Sequence, residues 1–516
     1  MSDRSRHRLL VASNRGPVTF RVADGGEFVA RRGGGGLVTA LGGLARLHDV
    51  TWISHVMGDG DEAMSASVGG RSFEEHARGG GSYQLRMVGA VDTTYERHYL
   101  EIANPLLWFL QHRLYGFGWD PTVDRAMHAA WACYRDINER LAAALADELD
   151  RDSGDDPPFV MVHDYHLFLV PGMLRAKLDA QRTGAPKPFV QFFLHIPWPD
   201  PGAWRALPRA WARDVCESLL ECDVVGFQTQ RDAENFLRTV HHFLGASVEF
   251  RTGAVRYMGA LTRVRTYPIS VAVDEFAEHA ASATVERLRA RIAAMRPKVL
   301  DEAGEDAGTG KLIVRVDRTD PSKNIVRGFR AYSLLLEEHP ELHGTVSMFC
   351  QLDPSRQDIT AYIDYLAQVK AAATAVNHRF GTASWTPLHV NLDSNFQAGV
   401  AAYREYDVLF VNPVADGMNL VSKEGPLVNE RDGVVVLSDQ AGSYNELGPH
   451  VVTVNPFDVA QQADALLEAI RMPAPERHER AQALRQQVVD HDVRDWMQAQ
   501  LDDLLALRTG STLAPR

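Results

Sequence analysis

The sequence predicts an α/β protein of two doubly wound parallel-sheet domains. Three observations predict it. Short, continuous apolar runs alternate with helical patterns throughout, as expected of parallel strands covered on both faces. The runs fall into two series of similar size. The 516 residues exceed what one hydrophobic core usually serves.

The first series opens with residues 9–13, Leu-Leu-Val-Ala-Ser. A glycine run, Gly33 to Gly36, then leads into a helical pattern over 37–47. Further strands are expected at 52–55, 159–163, 189–195, 224–227 and 264–267, with helices between them. A charged, alanine-rich helix is expected over 285–296. Residues 301–310 are polar and glycine-rich, which predicts an exposed loop. The second series comprises strands at 311–316, 345–349, 388–390, 408–411, 434–437 and 451–454. The domains are expected at 1–270 and 271–489, with the segment 490–516 packing back on the first through a helix over 496–507.

The formal net charge is −13, which argues against nonspecific binding to nucleic acid or to an acidic membrane. No apolar run reaches transmembrane length, and the polar N-terminus lacks the apolar core of a signal peptide. The four cysteines (133, 216, 222 and 350) form no C-x-x-C pair and no cluster with histidine. They predict reduced, mostly buried thiols in a cytoplasmic protein.

Residues 414–424, Val-Ala-Asp-Gly-Met-Asn-Leu-Val-Ser-Lys-Glu, carry the strongest functional signal. They follow an apolar run and precede a helical pattern, at the sheet end where open α/β folds bind ligands. A helix N-terminus presents unpaired N–H groups and favours an anion. Asp416 and Glu424 add acceptors for sugar hydroxyls. Taken alone, the segment fits an ordinary βα turn with an Asp cap equally well.

Other candidates share this placement. Gly33 to Gly36 would let backbone approach a diphosphate, or form a simple surface turn. Arg15 ends the first strand, where a guanidinium pairs with a phosphate or with a surface carboxylate. Asp164 follows the 159–163 run, and His195 ends the next, held by Pro197 and Pro199. No H-E-x-x-H motif or cysteine partner suggests zinc here. Arg318 and Lys323 end the first strand of the second series and could hold a leaving diphosphate without a metal; alternatively Asp320 neutralises Arg318 in a solvated loop. Arg356 is a further cation after a strand. Tyr99 and Trp108 fit either a core or a sugar-binding wall.

Several segments in this order resemble the trehalose-6-phosphate synthase family of retaining glycosyltransferases (family 20). They include Ser13-Asn-Arg15, the glycine run, Asn104 to Trp108, His163-Asp-Tyr-His-Leu167, Phe193-Leu-His-Ile-Pro197, Gly226-Phe-Gln-Thr229, Tyr267-Pro-Ile269, Trp385-Thr-Pro387, Asp416-Gly-Met-Asn-Leu420 and Asn455-Pro-Phe457. The resemblance spans nearly the whole chain. It implies a GT-B fold, two Rossmann-like domains facing across a cleft, with the acceptor mostly on the first and the sugar nucleotide mostly on the second.

By that resemblance Arg15 and Arg356 hold the phosphate of glucose 6-phosphate, and Tyr99, Trp108 and Asp164 line the acceptor sugar. His195 lies at the donor hexose. Arg318 and Lys323 face the departing diphosphate. Asp416 and the backbone of Gly417, Met418, Asn419, Leu420 and Val421 cradle the donor sugar, and Glu424 binds its ribose. Gly35 and Gly36 belong to the loop over the diphosphate. The implied activity is metal-free transfer of glucose, with retention, from UDP-glucose or GDP-glucose to glucose 6-phosphate, with no cofactor; a homo-oligomer is compatible with it.

Two segments depart from the common pattern. Many members carry E-R-L-D-Y-S-K-G where this chain has Asp317-Arg-Thr-Asp-Pro-Ser-Lys-Asn324, and Glu424 is followed by Gly-Pro-Leu-Val-Asn-Glu-Arg-Asp432. Both resemble a branch with GDP-sugar-using synthases and pseudo-glycosyltransferases that couple cyclitols. The alternatives are therefore a cyclitol-coupling enzyme of that type, or a catalytically idle sensor of sugar phosphates. The cradle from Met418 to Lys423 resembles true synthases and favours glucose transfer.

Overall fold

The computed structural model describes residues 6–32, 45, 47–77, 80–115, 120–151, 157–181, 186–300, 306–511 and 513. The glycine run, with Gly35 and Gly36, lies outside the described residues, as does nearly all of the helix expected over 37–47. The chain forms two compact units, Met1–Pro268 with Arg494–Arg516, and Ile269–Val493.

The first unit is built on a sheet of ten described strands. Seven parallel strands form its centre, in the order Ala260–Thr266, Val224–Phe227, Val190–Phe193, Phe159–His163, Arg8–Arg15, Asp49–His55 and Ser82–Val88. Antiparallel strands extend both edges: Phe73–His76 on one side, Ala254–Tyr257 and Ser247–Glu249 on the other. Every residue of Phe159–His163 and of Val224–Phe227 is buried, which explains their unbroken apolar character. The crossover helices carry readable signals. Gln230–Leu244 starts at Thr229, whose hydroxyl accepts from the Asp232 N–H, and stops at Gly245 with φ 69°.

Strand order reverses between Arg8–Arg15 and Phe159–His163. The carboxyl ends at this switch point carry Arg15 and Asp164. The expected 189–195 strand is shorter, ending at Phe193, because Leu194 to Pro199 turn away before the prolines.

The helix Val493–Arg508 packs on the first unit's sheet from Arg494 onward. Arg265 and Tyr267 both reach the Asp503 carboxylate, at 2.8 and 2.7 Å. Gln191 donates to Gln500 at 2.7 Å, and the Arg508 guanidinium lies 3.7 Å from the centre of the Phe159 ring.

The second unit has six parallel strands in the order Leu388–Leu392, Val346–Asp353, Lys311–Arg318, Val408–Val411, Val434–Ser438 and Val452–Val454. Its core includes Val314, Phe349, Val400, Leu409 and Leu437. The order reverses between Lys311–Arg318 and Val408–Val411, so Arg318 and the 412–416 segment lie at this unit's switch point. One expectation fails: Asp306–Thr309 is no loop but a strand paired antiparallel with Lys298–Leu300. Backbone hydrogen bonds define this hairpin, so the apolar-run signal that reveals the other strands is missing.

Asp503→Ala would leave the Arg265 guanidinium, 6% exposed, without its buried partner. Removing one member of a buried pair typically costs about 3–5 kcal/mol. We expect a loss of that order in the urea-unfolding free energy of the first unit. An unchanged midpoint would show that the pair does not fasten the terminal helix.

Candidate active site

In the second unit, the Lys311–Arg318 strand delivers Asp317, Arg318 and Lys323 to the switch point. Arg318 is exposed. Asp320 N-caps the Pro321–Lys323 turn by accepting from the Ser322 N–H, and Asn324, with φ 60°, ends it. This turn fixes the Lys323 backbone. The Lys323 Nζ lies 2.5 Å from Asp416 Oδ2, and the Asn419 side chain donates to the same oxygen at 3.0 Å.

The backbone after Asp416 is held by a second loop. Asp416 N–H donates to the Gln440 carbonyl, Gly442 N–H to that of Asp416, and Ser443 N–H to that of Met418. Asn419 sits at φ 73°, a left-handed conformation that asparagine tolerates, and accepts from the Ser422 N–H. The helix Val421–Val428 begins here. Among the described residues, no hydrogen bond takes up the backbone N–H of Gly417, Met418, Asn419 or Leu420. These donors, with Arg318 and Lys323, form an edge suited to an anion.

Glu424 lies in the first turn of that helix. Burial pushes its carboxyl up to about 7, against the opposing hydrogen bond from Tyr403, whose hydroxyl donates at 3.1 Å. Lys423, one residue earlier, is turned inward. Its Nζ donates to Glu446 at 2.9 and 3.0 Å and to the Ile269 carbonyl at 3.0 Å.

The Asp320 carboxylate receives Tyr362 at 3.2 Å and Arg356 at 3.4 Å, and Arg356 also touches the Tyr362 hydroxyl at 2.5 Å. Arg356, at φ 49°, therefore belongs to the second unit's loop cluster, whereas Arg15 belongs to the first unit.

In the first unit, Arg15 is exposed at the end of its strand, beside Asn14, whose amide donates to Tyr95 at 3.1 Å. Tyr95 stacks on His55 with ring centroids 4.0 Å apart. Tyr99 is half-buried, stacked on Tyr95 and on His166 at 6.0 and 5.9 Å. Trp108 is nearly enclosed, stacked on His112 at 4.0 Å. Asp164 adopts φ 78° and accepts from the His195 N–H at 3.3 Å. The His163 and His195 rings meet at 3.2 Å. Burial, and then the neighbouring imidazole, hold His195 well below the usual histidine range, so its ring is neutral at pH 7.

Sequence reasoning missed Arg315, Tyr362, Tyr403 and Gly442. Arg315 had a signal: a cation inside an apolar strand, two residues from Asp317 and so on the same face. The other three have none: Tyr362 and Tyr403 lie on the helices Thr360–Phe380 and Phe396–Glu405 and Gly442 in a turn, each meeting partners distant in sequence.

The model of glycosyltransferase family 20 matches residues 7–506. The chain belongs to glycosyltransferase family 20. Family members among curated proteins include a UDP-forming α,α-trehalose-phosphate synthase of Aspergillus fumigatus, 32% identical over 97% of each chain. The UDP-forming enzyme of Schizosaccharomyces pombe is 31% identical over 99% of this chain and 92% of its own. Among solved structures, the E. coli trehalose-6-phosphate protein bound with UDP-2-fluoro glucose superposes with a TM-score of 0.78 at 28% identity, covering 99% of this chain and all of that one. A UDP-forming α,α-trehalose-phosphate synthase of Burkholderia xenovorans in complex with glucose 6-phosphate gives 0.77 at 28% identity, covering 96% of this chain and 100% of that one. This family-20 chain is therefore a glycosyltransferase with two Rossmann-like units, the GT-B architecture.

A Cβ on Gly442 would fall 1.8 Å from the Gly417 carbonyl oxygen. Gly442→Ala must displace one backbone segment. We expect a loss of about 1–3 kcal/mol, the usual cost of overpacking, in urea unfolding of the second unit. Wild-type stability would show that the two loops are not fixed against each other.

Proposed function

We propose that the chain transfers glucose from a nucleoside diphosphate glucose to the anomeric hydroxyl of glucose 6-phosphate, with retention, giving α,α-trehalose 6-phosphate. One observation carries the reading: Lys323, Asp416 and the unspent N–H groups of Gly417 to Leu420 share the switch-point edge of the second unit. Uridine is the favoured base, since the relatives named above are UDP-forming. The 317–324 segment makes GDP-glucose the necessary comparison. The four free thiols support a cytoplasmic setting, and among the described residues no helix is long and apolar enough to cross a membrane.

Retention proceeds on the front face of the sugar. A double displacement needs a carboxylate nucleophile at the anomeric carbon. Asp416 is occupied by Lys323 and Asn419 and suits hydroxyl binding better. In the front-face route the leaving phosphate oxygen takes the acceptor proton while Arg318 and Lys323 hold the developing charge. Arg15 offers the first unit's cation to the acceptor phosphate. Tyr99, Trp108 and Asp164 line the acceptor sugar, and neutral His195 donates to or accepts from a donor hydroxyl.

No metal is required in this scheme. Asp317 is paired with Arg315 at 2.7 Å and Asp320 with Arg356, so both carboxylates beside the leaving group already serve cations. The deciding assay mixes the chain with glucose 6-phosphate and either UDP-glucose or GDP-glucose. It should release nucleotide and form trehalose 6-phosphate, more efficiently with UDP-glucose, and turnover should persist in EDTA. Absence of the disaccharide phosphate with both donors would refute the reading. Complete loss in EDTA, restored by a divalent metal, would refute the metal-free route.

Arg318→Ala should lower kcat about a hundredfold, the effect of losing about 3 kcal/mol of transition-state stabilisation. Near-wild-type turnover would remove Arg318 from the leaving-group role.

Glu424 gives a pH test. Ribose hydroxyls donate to an ionised carboxylate, and in the free protein this carboxyl ionises only near pH 7. Below that pH, binding must first expel its proton. UDP affinity should therefore weaken as pH falls through about 7, by up to about tenfold per unit, and Glu424→Gln should bind weakly but with that dependence abolished. An identical pH profile in both proteins would separate Glu424 from nucleotide binding.

A further inference from the structure

A second cationic cluster lies at the amino ends of the second unit's strands, opposite to the edge described above. Asp407 immediately precedes Val408–Val411, and its carboxylate is buried. One oxygen, Oδ2, is taken by Arg296. Three further cations converge on the other. Arg431 Nε lies 3.5 Å from Asp407 Oδ1, Lys311 Nζ 3.6 Å and Arg477 NH1 4.0 Å. Arg296 and, behind it, Lys311 overcome the effect of burial and hold the Asp407 carboxyl below its usual range.

A single carboxylate oxygen cannot satisfy three cations. Among the described residues, Asp407 is the only ionic partner of the Lys311, Arg431 and Arg477 side chains. Neighbouring acids are committed elsewhere: Glu405 to Arg289 and Arg296, Glu430 to Arg289 and Arg404, Asp432 to His478. The buried Nε–H groups of Arg431 and Arg477 make no hydrogen bond, Arg431 Nε meeting Asp407 only at ion-pair distance. Burial and the two arginines together lower the Lys311 ammonium, the sign of like charges crowded against one acceptor. Yet the chain as a whole has a net charge of −13, so surplus cations at one point are not a general surface property.

We propose that Lys311, Arg431 and Arg477 form an anion site for a phosphate group, separate from the glycosyl-transfer edge. The side chains are reachable: Lys311 and Arg431 are each 36% exposed and Arg477 18%. A phosphate carries more charge and more acceptor oxygens than the one carboxylate oxygen now shared, and guanidinium forks suit it. The Lys311–Arg318 strand runs from this cluster to Arg318.

The test titrates the full chain, saturated with UDP, with inorganic phosphate and, separately, with glycerol 3-phosphate, by calorimetry at ionic strength held constant with chloride. Arg15→Ala/Arg318→Ala, which removes the proposed acceptor-phosphate and leaving-group cations, should keep one phosphate site; phosphate binding by the variants below is compared in that background, and turnover in the wild-type one. Arg431→Gln/Arg477→Gln should bind at least tenfold more weakly, with turnover in phosphate-free buffer unchanged. Lys311→Gln, at a partly exposed position, gives the same reading should the double variant not fold. Tighter binding of glycerol 3-phosphate assigns the site to monoesters, and equal binding assigns it to the phosphate group alone. Undiminished affinity in Lys311→Gln and in the double variant, or no binding by the wild type beyond that of chloride, would overturn the proposal.

Discussion

The guanidinium of Arg315, 1% exposed in the middle of a parallel sheet, is the group on which the second unit's working edge depends. A buried cation is costly unless its charge and its donors are met. Here the Asp317 carboxylate lies 2.7 Å from Nε as an ion pair without a hydrogen bond, one terminal nitrogen donates to the Asn412 side chain at 2.7 Å, and the other to the Lys323 carbonyl. These three partners stand on both sides of the switch point. The requirement to satisfy one charge therefore locks the end of Lys311–Arg318, the turn carrying Lys323, and the segment leading to Asp416. It also explains Gly328, where a Cβ would lie 2.5 Å from the same guanidinium. With that backbone fixed, the Lys323 side chain has one strong acceptor nearby, Asp416, and the two charges orient each other without either being fully buried.

Backbone strain marks the same edges. Seven described non-glycine residues adopt positive φ, and four of them, Asp164, Asn324, Arg356 and Asn419, follow the carboxyl ends of parallel strands. Such conformations cost free energy and persist where surrounding contacts over-determine them. Each of the four has such contacts: Asp164 with the His195 N–H, Asn324 with the Asn412 and Pro456 carbonyls, Arg356 with Asp320 and Tyr362, Asn419 with Asp416 and Ser422. Chain reversals at a strand end aim side chains out of the sheet plane. That is the geometry needed to present an acid or a cation to a ligand while the strands themselves stay packed.

How legible this was in the sequence depended on the kind of contact involved. Central strands such as 159–163, 224–227 and 408–411 were readable to the residue, because burial on both faces imposes an unbroken apolar run. Strands without an unbroken run were not: Ser82–Val88 alternates, burying only Tyr83, Leu85 and Met87, and the Lys298–Leu300 and Asp306–Thr309 hairpin is held by backbone pairing. The strand-end position of Arg15 and Arg318, and the place of Asp416 and Glu424 in the following turn and helix start, were readable, since they follow from chain order and local pattern. Their partners were not. Arg356 pairs with Asp320 across 36 residues and Lys323 with Asp416 across 93, and no local pattern encodes such a match.

Two lysines near the donor edge show how burial divides labour between identical side chains. Lys423 closes the Met418 to Lys423 cradle. It is 1% exposed, and its three donors are spent on Glu446 and on the Ile269 carbonyl. Burial lowers its ammonium and Glu446 opposes that shift, so the pair is a closed unit tying the cradle helix to the 446 turn and to the start of the second unit. Among the described residues Lys323 has a single side-chain acceptor, Asp416, and it keeps 14% of its side chain open. An incoming diphosphate can compete for the ammonium of Lys323, because Asp416 already shares its oxygen with Asn419. It cannot compete for Lys423, 1% exposed, without opening the buried end of the ion pair with Glu446. The cation at the end of the strand is thus the one available for chemistry, and the cation within the motif is the one that keeps the motif in place.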